Sequence, residues 1–216
     1  MSRRRLLTAV AESILGLDLR RIVRVGVDGV DGAGKTTFAD ELARALEQRG
    51  QRVIRASVDG FHNPRAIRYR LGRASPEGFF ADSYDYGRLR SRLLDPLSPG
   101  GTRRYHVAAF DHRSDTAITT PVEIAAADSI LVFDGIFLHR PELRRYWDYS
   151  VFLEVGFHVS IPRCAQRGEG SADPHAPENR RYVQGQNIYL GTCAPRRHAT
   201  VTINNENLAA PYVVPG

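Results

Sequence analysis

The run Gly29-Val30-Asp31-Gly32-Ala33-Gly34-Lys35-Thr36 constrains this chain more than any other feature, because it fits G-x-x-x-x-G-K-[ST] at every fixed position. Glycines let successive backbone N–H groups converge on one anion without obstruction by Cβ atoms. A helix beginning near Thr36 would turn its positive end toward the same point. The flanks agree: residues 21–27 read as a strand, and Phe38, Leu42, Ala45 and Leu46 share one helical face until Gly50 stops the pattern. Together these imply a polyphosphate cradle made by Gly29, Asp31, Gly32, Ala33, Gly34, Lys35, Thr36 and Thr37. In it Lys35 bridges the β- and γ-phosphates and the Thr36 hydroxyl ligates Mg²⁺. The chain carries 30 basic residues, and Lys35 is the one lysine among them. Arginine serves wherever positive charge is enough, so position 35 keeps a compact ammonium for a reason of its own.

With 216 residues, 42% hydrophobic and 25% charged, the chain reads as one globular domain over 1–216. No apolar run approaches the roughly 18 residues of a membrane helix. Met1 to Leu7 opens like a signal peptide, but Glu12 and Asp18 interrupt the apolar stretch such a signal needs. Leu6, Leu7, Val10, Ile14 and Leu17 then describe a surface helix of a cytoplasmic protein. Cys164 and Cys193 supply neither a disulfide framework nor a metal quartet, which suits a reducing compartment. The net charge of +6 raises nucleic acid as a partner. The arginines are scattered, however, and neither zinc-finger spacing nor an RNA-binding aromatic signature is present. The expected partner is a small anionic or hydroxyl-bearing molecule, with no nucleic acid and no membrane; a homodimer stays open.

Further strands are expected at 53–58, 129–133, 149–155 and 199–203, separated by helices near 86–94, 141–143, 162–167 and 179–189. The apolar character of these strands predicts a three-layer α/β sandwich: a five-stranded parallel core with helices on both faces. Residues 60–82 look like a long loop, 100–120 like a small β flap within an acceptor region spanning 60–120, and 163–180 like a lid.

No Asn-Lys-x-Asp segment is present to read guanine, so a small kinase or an ATP-driven switch remains. A kinase needs a carboxylate to take the acceptor's proton. Asp59, in Asp59-Gly60 at the end of the second strand, is the candidate; Asp-Gly is equally an ordinary turn signal. Asp134, in a second Asp-Gly pair, suits Mg²⁺ opposite Thr36. Arg163 and Arg167, four apart before a Gly/Ser/Pro-rich stretch, suit a lid that steadies the transferring phosphoryl group. Aromatic and basic residues of 61–115 form the candidate acceptor wall, with Asp59, His62, Arg65, Tyr69, Phe79, Tyr105 and His112 foremost.

The segments 29–36, Asp59-Gly60-Phe61-His62-Asn63-Pro64-Arg65, Tyr84-Asp85-Tyr86 and Phe133-Asp134-Gly135-Ile136-Phe137-Leu138 resemble, in that order, the uridine kinase, phosphoribulokinase and bacterial pantothenate kinase superfamily. Within it the chain is most similar to actinobacterial uridine kinase-like proteins, and 182–190 with Ile203-Asn204-Asn205 resembles their shared ending. The resemblance implies a P-loop kinase fold with a lid. It also implies Asp59 as catalytic base and metal contact, Asp134 as a Mg²⁺ partner and arginines near 163 and 167 in the lid. The acceptor half departs: Phe79 falls where related kinases carry an aspartate for the ribose hydroxyls, and 110–115 lack the Tyr and His that read a pyrimidine. ATP-dependent phosphorylation of a small-molecule hydroxyl, foremost on a nucleoside, is therefore expected. Another alcohol as acceptor, or an ATP-binding regulator without transfer, is the alternative.

Overall fold

The computed structural model describes residues 2–17 and 20–215. In chain order its elements are α1 (Arg3–Leu15), β1 (Val23–Gly29), α2 (Lys35–Glu47), β2 (Val53–Ser57), α3 (Arg65–Arg68), α4 (Pro76–Asp82) and α5 (Tyr86–Leu89). Four short flap strands follow: β3 (Arg104–Tyr105), β4 (Phe110–Asp111), β5 (Thr116–Ala117) and β6 (Glu123–Ile124). The chain continues through β7 (Ile130–Gly135), β8 (Tyr149–Glu154), α6 (Phe157–Ala165), α7 (Arg180–Cys193), α8 (Pro195–His198), β9 (Val201–Asn204) and β10 (Tyr212–Val213).

Alternation along the strands sorts the core into two layers. Val23, Val25, Val27, Ile130 and Val132 face α1 and α2, whereas Leu131 and Phe133 face the layer holding Leu89, Phe137 and Tyr189. The sheet order is β10-β9-β8-β1-β7-β2. β2, β7, β1, β8 and β9 are parallel, as expected, and β10 adds an antiparallel edge strand of two exposed residues. The register sets Val27 and Ser57 on either side of Asp134, so the carboxyl ends of β1, β2 and β7 open on one cleft.

Four expectations need correcting, the first being the helix at 141–143, which is a turn leading into a single helical turn at Arg144–Tyr146. The helix at the start is not a surface element: α1 buries Leu6, Leu7, Val10, Ala11 and Ile14 against the core, and Ser2 caps it by accepting from the Arg5 N–H. Met1 and Asp18 of that reading lie outside the described residues. Residues 60–82 are not one long loop, because α3 and α4 occupy much of it. The start signal of α4 is local: the Ser75 hydroxyl accepts from Gly78 N–H at 3.0 Å, and Pro76 takes the first helical position. α6 begins at Phe157 after Gly156, five residues before the expected start, and carries Pro162 inside it. The flap itself is two small antiparallel pairs, β3 with β6 and β4 with β5.

On the second face of β1, Arg24 and Asp148 form a part-buried pair, with Nε to Oδ2 at 3.0 Å and Nη2 to Oδ1 at 3.2 Å. Desolvation alone would raise the Asp148 pKa; the Arg24 hydrogen bonds and charge win and lower it. This pair's contribution is present above the ordinary aspartate range and is lost as pH falls through the depressed value. Asp148→Ala strands a guanidinium that is 8% exposed and should cost about 3 kcal/mol in chemical denaturation at neutral pH. A loss below about 0.5 kcal/mol would remove the pair from the account.

Candidate active site

The phosphate loop runs from the end of β1 into α2. Gly32 and Gly34 have φ of +75° and +87°, which side chains other than glycine's disfavour. A Cβ on Gly32 would stand 2.1 Å from the Ser160 carbonyl oxygen, so the loop passes against the backbone of α6. Lys35 folds back over its own loop: Nζ donates to Val30 O at 2.9 Å and lies 3.9 Å from Asp31 Oδ1. Thr36 Oγ1 donates to Asp134 Oδ2 at 2.7 Å, and Arg55 Nη2 donates to Asp134 Oδ1 at 2.9 Å. Asp134, 2% exposed, thus has both oxygens engaged.

Two adjoining cavities open along the carboxyl ends of the strands. The smaller, about 270 Å³, includes Gly32, Gly34, Lys35, Thr36, Asp134 and Arg167 in its walls, and Thr37 borders it too. The larger, about 380 Å³, is walled by Tyr69, Phe79, Tyr84, Tyr182, His62 and His112 among others. Asp31, Asp59, Tyr84, Ile136 and Glu169 line both. Asp59 sits in the single helical turn Val58–Phe61 that follows β2. The turn is tight because Gly60 admits the flap: a Cβ there would meet Ala108 Cβ at 2.7 Å, and Ala109 N–H donates to Gly60 O at 2.8 Å.

The electrostatics follow from this crowding of acids. Burial in the cleft raises the Asp59 pKa, Lys35 draws it down, and Asp134 pushes it up again. Asp31 is raised in the same way, by burial first, with Lys35 opposing and Asp59 and Glu169 reinforcing. Burial lowers the His62 pKa to about 4, helped by the charges of His112 and Arg68, although a hydrogen bond to the Asp59 backbone opposes the shift. His62 Nδ1 lies 3.0 Å from Asp59 O, a pure acceptor, so Nδ1 carries the proton. Its ring lies between Tyr84 at 4.5 Å and His112 at 4.7 Å.

The structure brings together Asp31, Gly32, Gly34, Lys35, Thr36, Thr37, Asp59, Asp134 and Arg167 around one cavity, and Asp59, His62, Tyr69, Phe79 and His112 around its neighbour. Five expected residues line neither cavity. Gly29 and Ala33 are two of them: the Gly29 N–H is taken by Asp28 and the Ala33 N–H by Val30 O. The other three point elsewhere. Arg65 points to the flap, donating to Arg113 O. Tyr105 is buried with its hydroxyl on Glu123 at 2.9 Å. Arg163 donates to Gly32 O and Asn205 O, each at 3.3 Å, and to Glu206 O, so it braces loops and lines neither cavity. Arg167 borders the phosphate cavity, parked on Glu169 at 3.0 Å.

Sequence reasoning missed α7's contribution, Arg181 and Tyr182 in the larger cavity, and also Arg55. It also missed a buried cluster beneath the loop. Asp28 is fully buried, accepts Gly29 N–H at 2.7 Å, and meets His139 Nδ1 at 2.6 Å and the Tyr189 hydroxyl; His139 Nε2 is 3.0 Å from Ser150 Oγ. An aspartate between valine and glycine in a wholly buried strand was the available signal, since a buried carboxylate requires partners.

No protein-family model matches the chain. Uridine-cytidine kinase B of Dictyostelium discoideum is 26% identical over 144 residues, 66% of this chain and 57% of that protein. Uridine kinase of Lactobacillus helveticus is 23% identical over 183 residues, 82% of this chain and 79% of that one. The chain thus spans a little over half of the first relative and most of the second. A solved structure, a possible uridine kinase from Bacillus stearothermophilus, matches with a TM-score of 0.73 and 24% identity, covering 92% of this chain and 97% of that one. Sheet order and glycine-rich loop define a P-loop α/β architecture, the fold of that solved structure. The curated relatives are named as uridine and uridine-cytidine kinases, which the chain resembles at 23–26% identity, and the solved structure shares its fold. No described helix is long and apolar enough to cross a membrane.

A depressed His62 pKa has a measurable consequence. The unfolded chain takes up its proton near pH 6.5 and the native ring near pH 4, so this residue makes stability fall as pH drops through that window. Imidazole NMR should give a His62 midpoint about two units below an ordinary histidine, and His62→Gln should flatten the stability profile between those pH values. A midpoint near 6.5 would contradict the neutral ring.

Proposed function

We propose that this chain transfers the γ-phosphoryl group of Mg·ATP to a hydroxyl of a small molecule, foremost a nucleoside. The carrying observation is the place of Asp59 on the boundary of two cavities, one lined by the Lys35 loop and one walled by aromatic rings. The kinase relatives support the same reading.

The loop fits a triphosphate because its glycine positions leave the backbone bare where side chains would obstruct. Thr36 and Asp134 are hard oxygen donors in contact, which suits Mg²⁺ completing its shell from phosphate and water. When bound, Mg²⁺ neutralises charge on the phosphates. Lys35 exchanges Val30 O for phosphate oxygens. Asp59 accepts the acceptor hydroxyl's proton as that oxygen attacks the γ-phosphorus and the bond to the β-phosphate bridging oxygen breaks, releasing ADP; Tyr84 lines the cleft beside it. Arg167, released from Glu169, reaches the transferring group from the lid. Tyr69, Phe79 and Tyr182 give the larger cavity an aromatic lining suited to a planar base. Phe79 leaves the ribose diol without the aspartate of related kinases, so the sugar must be held by other groups of this cavity.

A second reading, an acceptor bearing an anionic group, is favoured by Arg68 and Arg181 at the wall of the larger cavity. Incubation with Mg·ATP and a panel of nucleosides and hydroxy acids, read by product mass, decides between the two. A phosphorylated nucleoside supports the lead, a phosphorylated acid only the second, and no product with any acceptor contradicts transfer. Asp59→Asn should retain Mg·ATP affinity and lose transfer by about 10²–10⁴-fold. Because native burial disfavours the ionised carboxylate, the variant should melt no lower than wild type at pH 7. Near-normal turnover would remove Asp59 from the mechanism.

A further inference from the structure

One helix, α7, touches both halves of the cleft. Its first turn carries Arg181 and Tyr182 into the wall of the acceptor cavity. One turn on, Gln186 is 1% exposed and lines neither cavity. Its Nε2 donates to Tyr182 O at 3.1 Å, and its Oε1 accepts the Asp31 N–H at 2.6 Å. A carbonyl can only accept and a backbone amide can only donate, so the two partners fix the orientation of this side chain. Asp31 in turn lines both cavities. Three residues further along α7, Tyr189 donates to Asp28, which holds the Gly29 N–H through its other oxygen. Residues three apart share a helix face, so α7 holds the phosphate loop at two successive points with one surface.

We propose that Gln186 is a positioning residue that couples occupancy of the phosphate loop to the acceptor wall through the chain Asp31–Gln186–Tyr182. The proposal rests on the nucleotide-binding reading above. Phosphate binding orders the loop and fixes the Asp31 amide. Gln186 carries that constraint to the Tyr182 carbonyl, and the first turn of α7 tightens around the place the acceptor will take. Tyr189 anchors the helix and leaves Gln186 as the element that spans the two half-sites.

Amide hydrogen exchange with and without Mg·ATP reads this directly and needs no acceptor. In wild type, nucleotide should slow exchange in 29–36 and in 180–186, the latter by about tenfold. Gln186→Met, of similar size but without either hydrogen bond, should keep the slowing in 29–36 and lose it in 180–186. Each protein is compared at Mg·ATP concentrations that calorimetry shows to saturate it, so weaker binding by the variant cannot mimic the loss. An undiminished response of 180–186 in the variant would overturn the coupling, as would a wild-type response confined to 29–36. No wild-type response in 29–36 would instead overturn nucleotide binding itself, and the coupling with it. Should Gln186→Met lose its cooperative melt, Gln186→Asn, one methylene too short to span both partners, carries the same expectations.

Discussion

The phosphate loop exists because its backbone passes in contact with neighbouring backbone. At Gly32 a single added carbon would overlap the Ser160 carbonyl, and at Gly34 the left-handed turn delivers the chain into the first residue of α2. Every later feature depends on that close passage. It aims the start of α2 into the cleft and places Thr36 against Asp134. It also leaves Lys35 free to exchange one oxygen partner for another. The parallel sheet supplies the platform, with β1 between β7 and β8 and the carboxyl ends of β2 and β7 in register beside it.

The cleft is electrostatically unfinished. Asp31, Asp59, Asp134 and Glu169 border one cavity with Lys35 and Arg167 as the cations among its described lining residues, and Arg55 outside the lining pairs with Asp134. Burial first, and neighbouring carboxylates after it, raise the pKa values of Asp31 and Asp59, a cost the fold carries without recovering it in stability. A divalent cation and a polyphosphate arriving together would balance such a set, the cation meeting the carboxylates and the phosphates meeting Lys35 and the loop amides. Phe137, held at φ of +66° directly after Ile136 on the cleft wall, is a second sign that local strain is accepted here.

The order of strands and helices was legible because buried parallel strands are apolar throughout and the loop motif declares its flanks. Lys35, Thr36, Asp59 and Asp134 could be placed on one site from their positions at strand ends alone. What could not be read depends on three-dimensional partners. Arg163 and Arg167 look equivalent four residues apart, yet only Arg167 reaches the cavity, because Arg163 is held by loop carbonyls. Tyr105 differs little from Tyr69 in sequence, but Glu123 on the neighbouring flap strand claims its hydroxyl. Gln186 and Tyr189 carry no motif; their roles appear only when α7 is laid across the loop. Arg55 sits in a short strand, where nothing in the pattern shows that it neutralises Asp134.

A crystal structure with a non-hydrolysable ATP analogue and Mg²⁺ tests the central claim most directly. The account predicts the triphosphate within loop 29–36, Lys35 Nζ moved from Val30 O to the β- and γ-phosphates, and the metal beside Thr36. The terminal phosphate should face Asp59 across the boundary of the two cavities. An empty loop, or a terminal phosphate directed away from Asp59, would contradict it.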